Sequence, residues 1–277
     1  MPTFTLAAIL IVVYLAIPPS VRAQQLKPDT TRDFECYVQS AERRMAARQV
    51  FLLADSDAAL NDRVVSGRRV ETVAGNGANP HRVSGGLVFD WIGSVFIPGT
   101  NLDQVLRMLQ DYDHRAQYFS ETIASSKLLC RRGDNHFRYT MRLKEPAVID
   151  VESDVVWDRV DPHRWRCTSY STQVQAVGKD KGYLRRLYSY WRFAETPGGV
   201  YVEGETITLS DEFSSLMRGL GSLMGINPEK SLRHSLESMR ESLQKTGAQF
   251  PGPATGIAEC SEPYQPGHPG GCTEGAQ

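Results

Sequence analysis

Few residues of this 277-residue chain have the type and spacing that catalysis requires. Glu203 and Glu205 alternate along one strand-like segment, so both carboxylates lie on the same side of it. With a three-residue turn at 196–199 they share a cavity side with the aromatic residues of the preceding strand, where they could act as general acid and base. With a four-residue turn they face outward beside Arg192 as plain surface ion pairs. We favour the outward orientation, because the small apolar residues that alternate with them suit close packing beneath a helix.

A second candidate for acid–base chemistry is the pair Asp113–His114, which follows a predicted helix and could lie at a pocket mouth. Adjacent residues rarely act on one another directly, so a solvent-exposed turn is the favoured interpretation. The hydroxyl-rich stretch 169–172 could donate hydrogen bonds to a ligand, although such residues more often pair across strands or face water.

Several classes of site are excluded by the motifs that the sequence lacks. It contains no GxSxG nucleophile elbow and no CxxC pair, and its six histidines have no metal-ligand spacing. The glycine-rich stretch 219–225 does not match GxGxxG and follows no buried strand. The net charge of -1 provides no field for nucleic acid. We therefore expect no metal, no cofactor and no nucleic-acid partner.

The first 23 residues read as a signal peptide rather than as part of the fold. An apolar run is followed by Val21-Arg22-Ala23, which suits cleavage before Gln24. The alternative is an uncleaved membrane anchor, but the run is shorter than the roughly 20 residues that a spanning helix needs. We expect export to a periplasmic or extracellular space. There Cys260 and Cys272 could close a short loop, or could equally remain unpaired thiols.

The segment Leu87–Asp113 provides the element around which the rest is organised. Residues with a period of two predict a strand whose apolar side carries Phe89, Trp91, Val95 and Ile97. Pro98-Gly99 ends that strand, and Thr100 with Asp103 three residues later predicts a capped amphipathic helix.

A hairpin between Asn135–Lys144 and Val148–Arg159 follows, with a short loop that sets its register. Its two faces are internally consistent only in that register, with opposite charges on one and hydrophobic residues on the other. The predicted partners are Arg142–Asp150 and Arg138–Asp154 on the solvent side, and Met141–Val151 and Phe137–Val155 on the buried side.

Helices are predicted at both ends of this region. Asp33 to about Leu60 reads as an N-terminal helix, and its arginines 43, 44 and 48 suit a solvated face. Asn227 caps a helix from Pro228 to Lys245, whose buried stripe contains Leu232, Leu236, Met239 and Leu243. From Phe250 onward the composition predicts disorder. The expected organisation is a signal peptide (1–23), an N-terminal helix and linker (24–86), the main domain (87–247) and a disordered tail (248–277).

This order of elements resembles the helix-grip fold of the START-like superfamily (SRPBCC or Bet v 1-like), which includes polyketide cyclases and lipid-transfer proteins. The resemblance covers about residues 85–247, and the stretches that carry it are DWIGSVFIPGTNLDQVL, YSTQV, SYWRF and GGVYVEGETITLS. They look like an uncharacterised exported bacterial group. The resemblance implies an α+β fold in which a curved antiparallel sheet of about seven strands wraps around the long C-terminal helix.

A sheet that curves around a helix encloses a cavity able to hold a small apolar molecule. The predicted pocket wall consists of Trp91, Val95, Phe137, Tyr139, Met141, Val155, Trp191, Phe193, Leu232, Leu236 and Met239. The preferred hypothesis is an exported, monomeric carrier of a lipid or polyketide-like molecule, with transient membrane contact through residues 213–226. The alternatives are a cyclase- or hydrolase-type enzyme that uses Glu203, Glu205 or His114, and a structural protein whose interior is filled by side chains.

Overall fold

In the computed structural model of the chain, the described residues are 26–66, 71–76, 79–144, 147–177, 183–212, 227–245 and 248–261. The predicted signal peptide and the segment 213–226 lie outside them. No helix among the described residues has the length and apolarity to cross a membrane.

A single antiparallel sheet of nine strands forms the centre of the described chain. The strands are β1 (Glu71–Ala74), β2 (His81–Val83), β3 (Gly86–Pro98), β4 (Ile123–Arg132), β5 (His136–Leu143), β6 (Ile149–Asp161), β7 (Arg164–Ala176), β8 (Leu184–Thr196) and β9 (Gly199–Asp211). Their order is β1-β3-β9-β8-β7-β6-β5-β4, and β2 also pairs with β3. The sheet has two strands more than we expected, and both lie in the segment interpreted as a linker.

The helices are α1 (Pro28–Ala47), α2 (Ala58–Ser66), α3 (Leu102–Gln110), the short α4 (Arg115–Tyr118) and α5 (Pro228–Gln244). α3 is capped by Asn101, whose side chain accepts a hydrogen bond from the Gln104 N–H, so the prediction of a Thr100 cap was wrong by one residue. α5 is capped by Asn227 as predicted. It lies across the inner face of the sheet, which confirms the α+β helix-grip fold.

Gly93 sets how closely α5 approaches the sheet. A Cβ atom at this position would lie 2.6 Å from Leu236 Cδ1 and 3.1 Å from Leu232 Cγ. The missing side chain therefore allows the buried stripe of α5 to rest directly on the backbone of β3.

The outer face of the sheet is covered as well, which the sequence did not indicate. α1 buries Phe34, Val38, Ala41 and Met45 against Val88, Ile207, Leu209 and three tyrosines of β7 and β8. The helix begins and ends earlier than predicted, at Pro28 and Ala47, and a separate helix α2 follows it. Helices therefore pack on both faces of the sheet, and α1 is part of the same fold as the main domain.

The hairpin register between β5 and β6 is confirmed. Arg142 lies opposite Asp150 and Arg138 opposite Asp154, while the hydrophobic pairs Met141–Val151 and Phe137–Val155 occupy the other face. The exposure of one ion pair was predicted wrongly: the Asp154 side chain is only 1% exposed, whereas that of Asp150 is 38% exposed.

The C-terminal segment is ordered further than predicted. Phe250 is buried, and a disulfide joins Cys130 of β4 to Cys260. The expectation of disorder from Phe250 onward was therefore wrong for residues 250–261, and the bond to Cys130 excludes the predicted Cys260–Cys272 pair. The sequence could not give this partner, because the two cysteines are 130 residues apart.

Candidate functional site

A cavity of about 440 Å³ lies between the inner face of the sheet and α5. It exists because α5 packs mainly against β3, with lesser contacts to β9 and β1, and leaves the inner faces of β5–β8 uncovered. Register shifts in the β6–β7 and β8–β9 pairs mark β-bulges. Because bulges bend strands, they favour the curvature that the sheet needs to enclose a cavity. Most of its wall is apolar, and among the lining residues are Tyr139, Met141, Val155, Trp157, Trp191, Phe193, Leu232 and Met239.

A row of hydroxyl groups crosses this apolar wall. Ser169 of β7 pairs with Ser189 of β8, which pairs in turn with Thr206 of β9, and all three line the cavity. The indole N–H of Trp191 donates to Ser189 Oγ at 3.1 Å. Thr208 lies two residues beyond Thr206 on β9, and its hydroxyl is buried without a hydrogen-bond partner among the described residues. The cavity therefore offers donors and acceptors that could fix the orientation of a mainly apolar ligand.

Arg115 is the cationic residue in the interior of the cavity wall. Its guanidinium carbon lies 4.8 Å from the centre of the Tyr112 ring and 4.7 Å from that of Tyr139. Nη2 donates to the Leu109 carbonyl at 2.7 Å, and Nη1 lies 3.4 Å from the Tyr139 hydroxyl. Burial raises the pKa of the neighbouring Cys167 thiol far above its ordinary value, and the charge of Arg115 opposes that rise.

The predicted wall residues divide into two groups. Tyr139, Met141, Val155, Trp191, Phe193, Leu232 and Met239 line the cavity. Trp91, Val95, Phe137 and Leu236 belong to the surrounding hydrophobic core and do not reach the cavity surface. Ser169 lies in the stretch 169–172 that we considered as a source of ligand hydrogen bonds, whereas Arg115, Cys167, Ser189 and Thr206 were not predicted as site residues. A lone arginine in a charged turn gives no sequence signal of burial, and only the aromatic residues nearby could have suggested it.

His114 and Asp113 are not in the cavity wall and do not contact each other. His114 Nδ1 lies 2.7 Å from Asp111 Oδ1 with its side chain 47% exposed. Asp113 accepts a hydrogen bond from the Leu128 N–H at 2.8 Å and pairs with Lys127 at 3.2 Å. The arrangement is that of a surface turn.

Glu203 and Glu205 face away from the cavity. Glu203 lies opposite Arg192, as in the four-residue turn that we favoured. The expectation of surface ion pairs was nevertheless wrong, because α1 covers both carboxylates and leaves them 2% and 0% exposed. Arg48 pairs with Glu203 at 2.7 Å, and Arg44 pairs with Glu205 at 2.6 Å.

These ion pairs also correct the prediction for the arginines of α1. Arg44 and Arg48 do not lie on a solvated face but reach down to the sheet, whereas Arg43 is exposed as expected. Arg44 contacts a third carboxylate, Asp90, at 3.0 Å, and the Tyr37 hydroxyl donates to the same oxygen at 3.0 Å. Burial, together with the nearby charge of Glu205, raises the pKa of Asp90 to about 7.

A larger depression of about 650 Å³ lies on the surface between the turns 99–101 and 195–199. It is formed by three turn segments rather than by the interior of the fold, so the enclosed cavity is the better candidate for a ligand site. Among the described residues no group of three or more histidine, cysteine or acidic side chains could hold a metal ion.

No protein-family model matches the chain, and no curated protein sequence matches it. Similar solved structures include the STAR-related lipid transfer protein of Xanthomonas axonopodis, with 16% identity, a TM-score of 0.41 and coverage of 58% of this chain and 98% of that chain. A START superfamily protein from Mycobacterium smegmatis has 8% identity and a TM-score of 0.41, with 56% and 96% covered. The human StarD13 (DLC2) lipid transfer and protein localization domain has 12% identity and a TM-score of 0.42, with 71% and 100% covered.

These similarities are to START-like folds, the superfamily that the sequence resembles. At such identities they concern the fold alone, and what the cavity can bind follows from the geometry of this chain.

Proposed function

We propose that the protein is an exported carrier that holds one apolar small molecule, lipid or polyketide-like, between the sheet and α5. The observation that supports this most directly is the enclosed cavity of about 440 Å³ with its largely aromatic and aliphatic wall. Ligand pockets in proteins are typically about 300–1,000 Å³ and combine an apolar lining with a few polar groups. The hydroxyl row of β7–β9 provides such groups.

The binding energy would come from burial of apolar surface. Removing about 300 Å² of ligand surface from water contributes roughly 7 kcal/mol at about 25 cal/mol per Å². The loss of translational and rotational freedom offsets part of it. Micromolar affinity or weaker is therefore the expected range for a purely apolar ligand.

The carboxylates proposed for an enzymatic alternative do not support it. Glu203 and Glu205 lie on the opposite face of the sheet, each paired with an arginine of α1. His114 is engaged with Asp111 at the surface. The carrier function needs none of these groups, and none of them lines the cavity in which a cyclase or hydrolase would hold its substrate.

Access to the cavity is proposed beside the start of α5. The exposed residues Asn227, Lys230 and Ser231 belong to the lining there, so the cavity reaches the molecular surface at this end. The apolar, glycine-rich stretch 213–226 directly precedes this position in the chain and would provide transient contact with a membrane during loading.

The carrier function predicts uptake of a neutral apolar dye such as Nile red, with fluorescence enhancement on binding. Leu187→Trp fills the cavity and should weaken uptake about tenfold or more, whereas Trp191→Ala enlarges it and should alter uptake with the fold retained. Leu129→Trp is the matched control, because Leu129 is 41% exposed and outside the lining. Absence of uptake by the wild-type protein, or equal loss in Leu129→Trp, would exclude the carrier function.

Export is proposed on the pattern of residues 1–23 and is supported by the Cys130–Cys260 disulfide, since such bonds persist in oxidising compartments. We expect the mature chain to begin at Gln24. Intact-mass measurement of protein recovered from the producing cell tests this, and a species that retains Met1–Ala23 would rule out cleavage.

A further inference from the structure

Arg115 carries a positive charge in the cavity wall without a negative partner. Its contacts are the Leu109 carbonyl, the Tyr139 hydroxyl and two tyrosine rings, and no carboxylate is within ion-pair distance in the part of the chain that the structure describes. The Nε atom is buried and has no hydrogen-bond partner. A guanidinium has five N–H donors, so its capacity here is largely unused.

Four other arginines that are partly or fully buried are paired with carboxylates. Arg44, Arg48, Arg138 and Arg192 each lie within 4.0 Å of a carboxylate that is itself nearly inaccessible to water. This pairing is expected, because a buried charge without a counter-charge is costly. Arg115 differs from these four arginines, and it lies in the wall of the cavity.

The two tyrosine rings stabilise the guanidinium only in part. They contact its faces, and cation–π contacts contribute modestly compared with a charge-assisted hydrogen bond. Arg115 is among the residues that line the cavity, and the N–H groups of a guanidinium suit a planar or tetrahedral anion. The Tyr139 hydroxyl, which also lines the cavity, lies 3.4 Å from Nη1 and could donate to the same anion.

We infer that the ligand is an amphiphile with one anionic group, a carboxylate or a phosphate, which pairs with Arg115 while its apolar body fills the cavity. This inference rests on the proposed carrier function and narrows its ligand class. A cavity of about 440 Å³ suits a single-chain or drug-sized acid.

The test compares three ligands of equal chain length: dodecanoate, dodecyl phosphate and neutral 1-dodecanol. Each displaces Nile red from the wild-type protein at about pH 8, where the carboxylic acid and the phosphate are ionised. We expect at least one of the two anions to bind about 10- to 100-fold more tightly than the alcohol. Which anion gains more distinguishes a fatty-acid type of ligand from a phosphate-bearing one.

Three variants locate the effect. Arg115→Met keeps the length of the side chain without its charge and should abolish the preference for the anion while leaving dodecanol affinity within about twofold. Arg115→Lys should keep part of the preference. Lys230→Met removes the lysine at the exposed end of the cavity and should keep all of it.

The possible failures are distinguishable. If the wild-type protein binds dodecanol and both anions equally, the inference fails and the carrier function stands. If Lys230→Met rather than Arg115→Met removes the preference, the anion binds at the surface and Arg115 has no such role. If no ligand displaces the dye, or the dye itself does not bind, the carrier function fails too. If Arg115→Met does not fold, Arg115→Lys and Lys230→Met still locate the effect: a preference that Arg115→Lys reduces and Lys230→Met retains belongs to Arg115, and one that Lys230→Met removes does not.

Discussion

At the scale of single residues, two groups of buried charge are separated by the thickness of the sheet. On the outer face, Asp90, Glu203 and Glu205 are neutralised by arginines of α1 and β8. On the inner face, Arg115 has no such partner among the described residues. The charges on the outer face therefore stabilise the packing of α1 on the sheet, whereas the charge of Arg115 is assigned to ligand binding in the cavity.

Asp90 should make the stability of the protein decrease as the pH rises from about 4 to about 7. Its pKa in the folded protein is about 7, above the ordinary aspartate value, so folding takes up a proton within this window. The groups that face it are Tyr37 and Arg44 of α1 and Glu205 of β9.

Asp90→Asn mimics the protonated carboxyl group and removes the contribution of Asp90 to the pH dependence of stability. We expect the free energy of unfolding of Asp90→Asn minus that of wild type to increase by at least about 1 kcal/mol from pH 4 to pH 7.5, as measured by urea denaturation at each pH. Asp103→Asn, at a side chain that is 71% exposed, is the control and should run parallel to wild type. Parallel curves for Asp90→Asn as well would show that Asp90 is ionised throughout.

At the scale of elements, the sequence predicted those whose partners lie nearby in the chain. The β5–β6 register followed from two complementary faces across a short loop, and α5 from its cap and apolar stripe. α1 was placed wrongly because arginines on a helix ordinarily read as solvated. Their carboxylate partners are about 150 residues away, and only the folded sheet brings them together. The cavity wall was predicted where strand periodicity sets the inner face, but Arg115 begins α4, a helix of four residues that is too short to show a periodic pattern.

The contact between β3 and α5 should show strong coupling between Gly93 and Leu236. Gly93→Ala places a methyl group only 2.6 Å from Leu236 Cδ1 and should cost roughly 1–3 kcal/mol. Leu236→Ala should cost roughly 2–5 kcal/mol by leaving a void. The double variant should be more stable than the sum predicts by about 0.5–3 kcal/mol, because the new methyl group occupies part of that void. Simple additivity in urea denaturation would mean that α5 does not rest on Gly93.

At the scale of the whole molecule, helices pack on part of each face of the sheet, and its edge strands carry backbone groups that no neighbouring strand pairs. One edge is β4, and the segment that ends in Cys260 runs beside it. The Arg131 N–H donates to the Ala258 carbonyl at 3.1 Å, and the Cys260 N–H donates to the Arg131 carbonyl at 3.0 Å. Covering an edge strand in this way hinders pairing with a second chain. The Cys130–Cys260 bond fixes the segment in place, while Phe250 anchors its start in the core.

Removing this bond should both destabilise the protein and promote self-association. Cys130→Ser with Cys260→Ser should lower the free energy of unfolding by about 2–4 kcal/mol, since the bond closes a long loop in the unfolded chain. Release of residues 251–260 should also expose the backbone of β4, so sedimentation velocity should show dimers or larger species that increase with concentration. Phe250→Ala with the disulfide intact is the comparison, because it weakens the anchor without freeing the edge and should stay monomeric. A double serine variant that is destabilised yet monomeric would mean that the hydrogen bonds to Arg131 hold the segment without the disulfide.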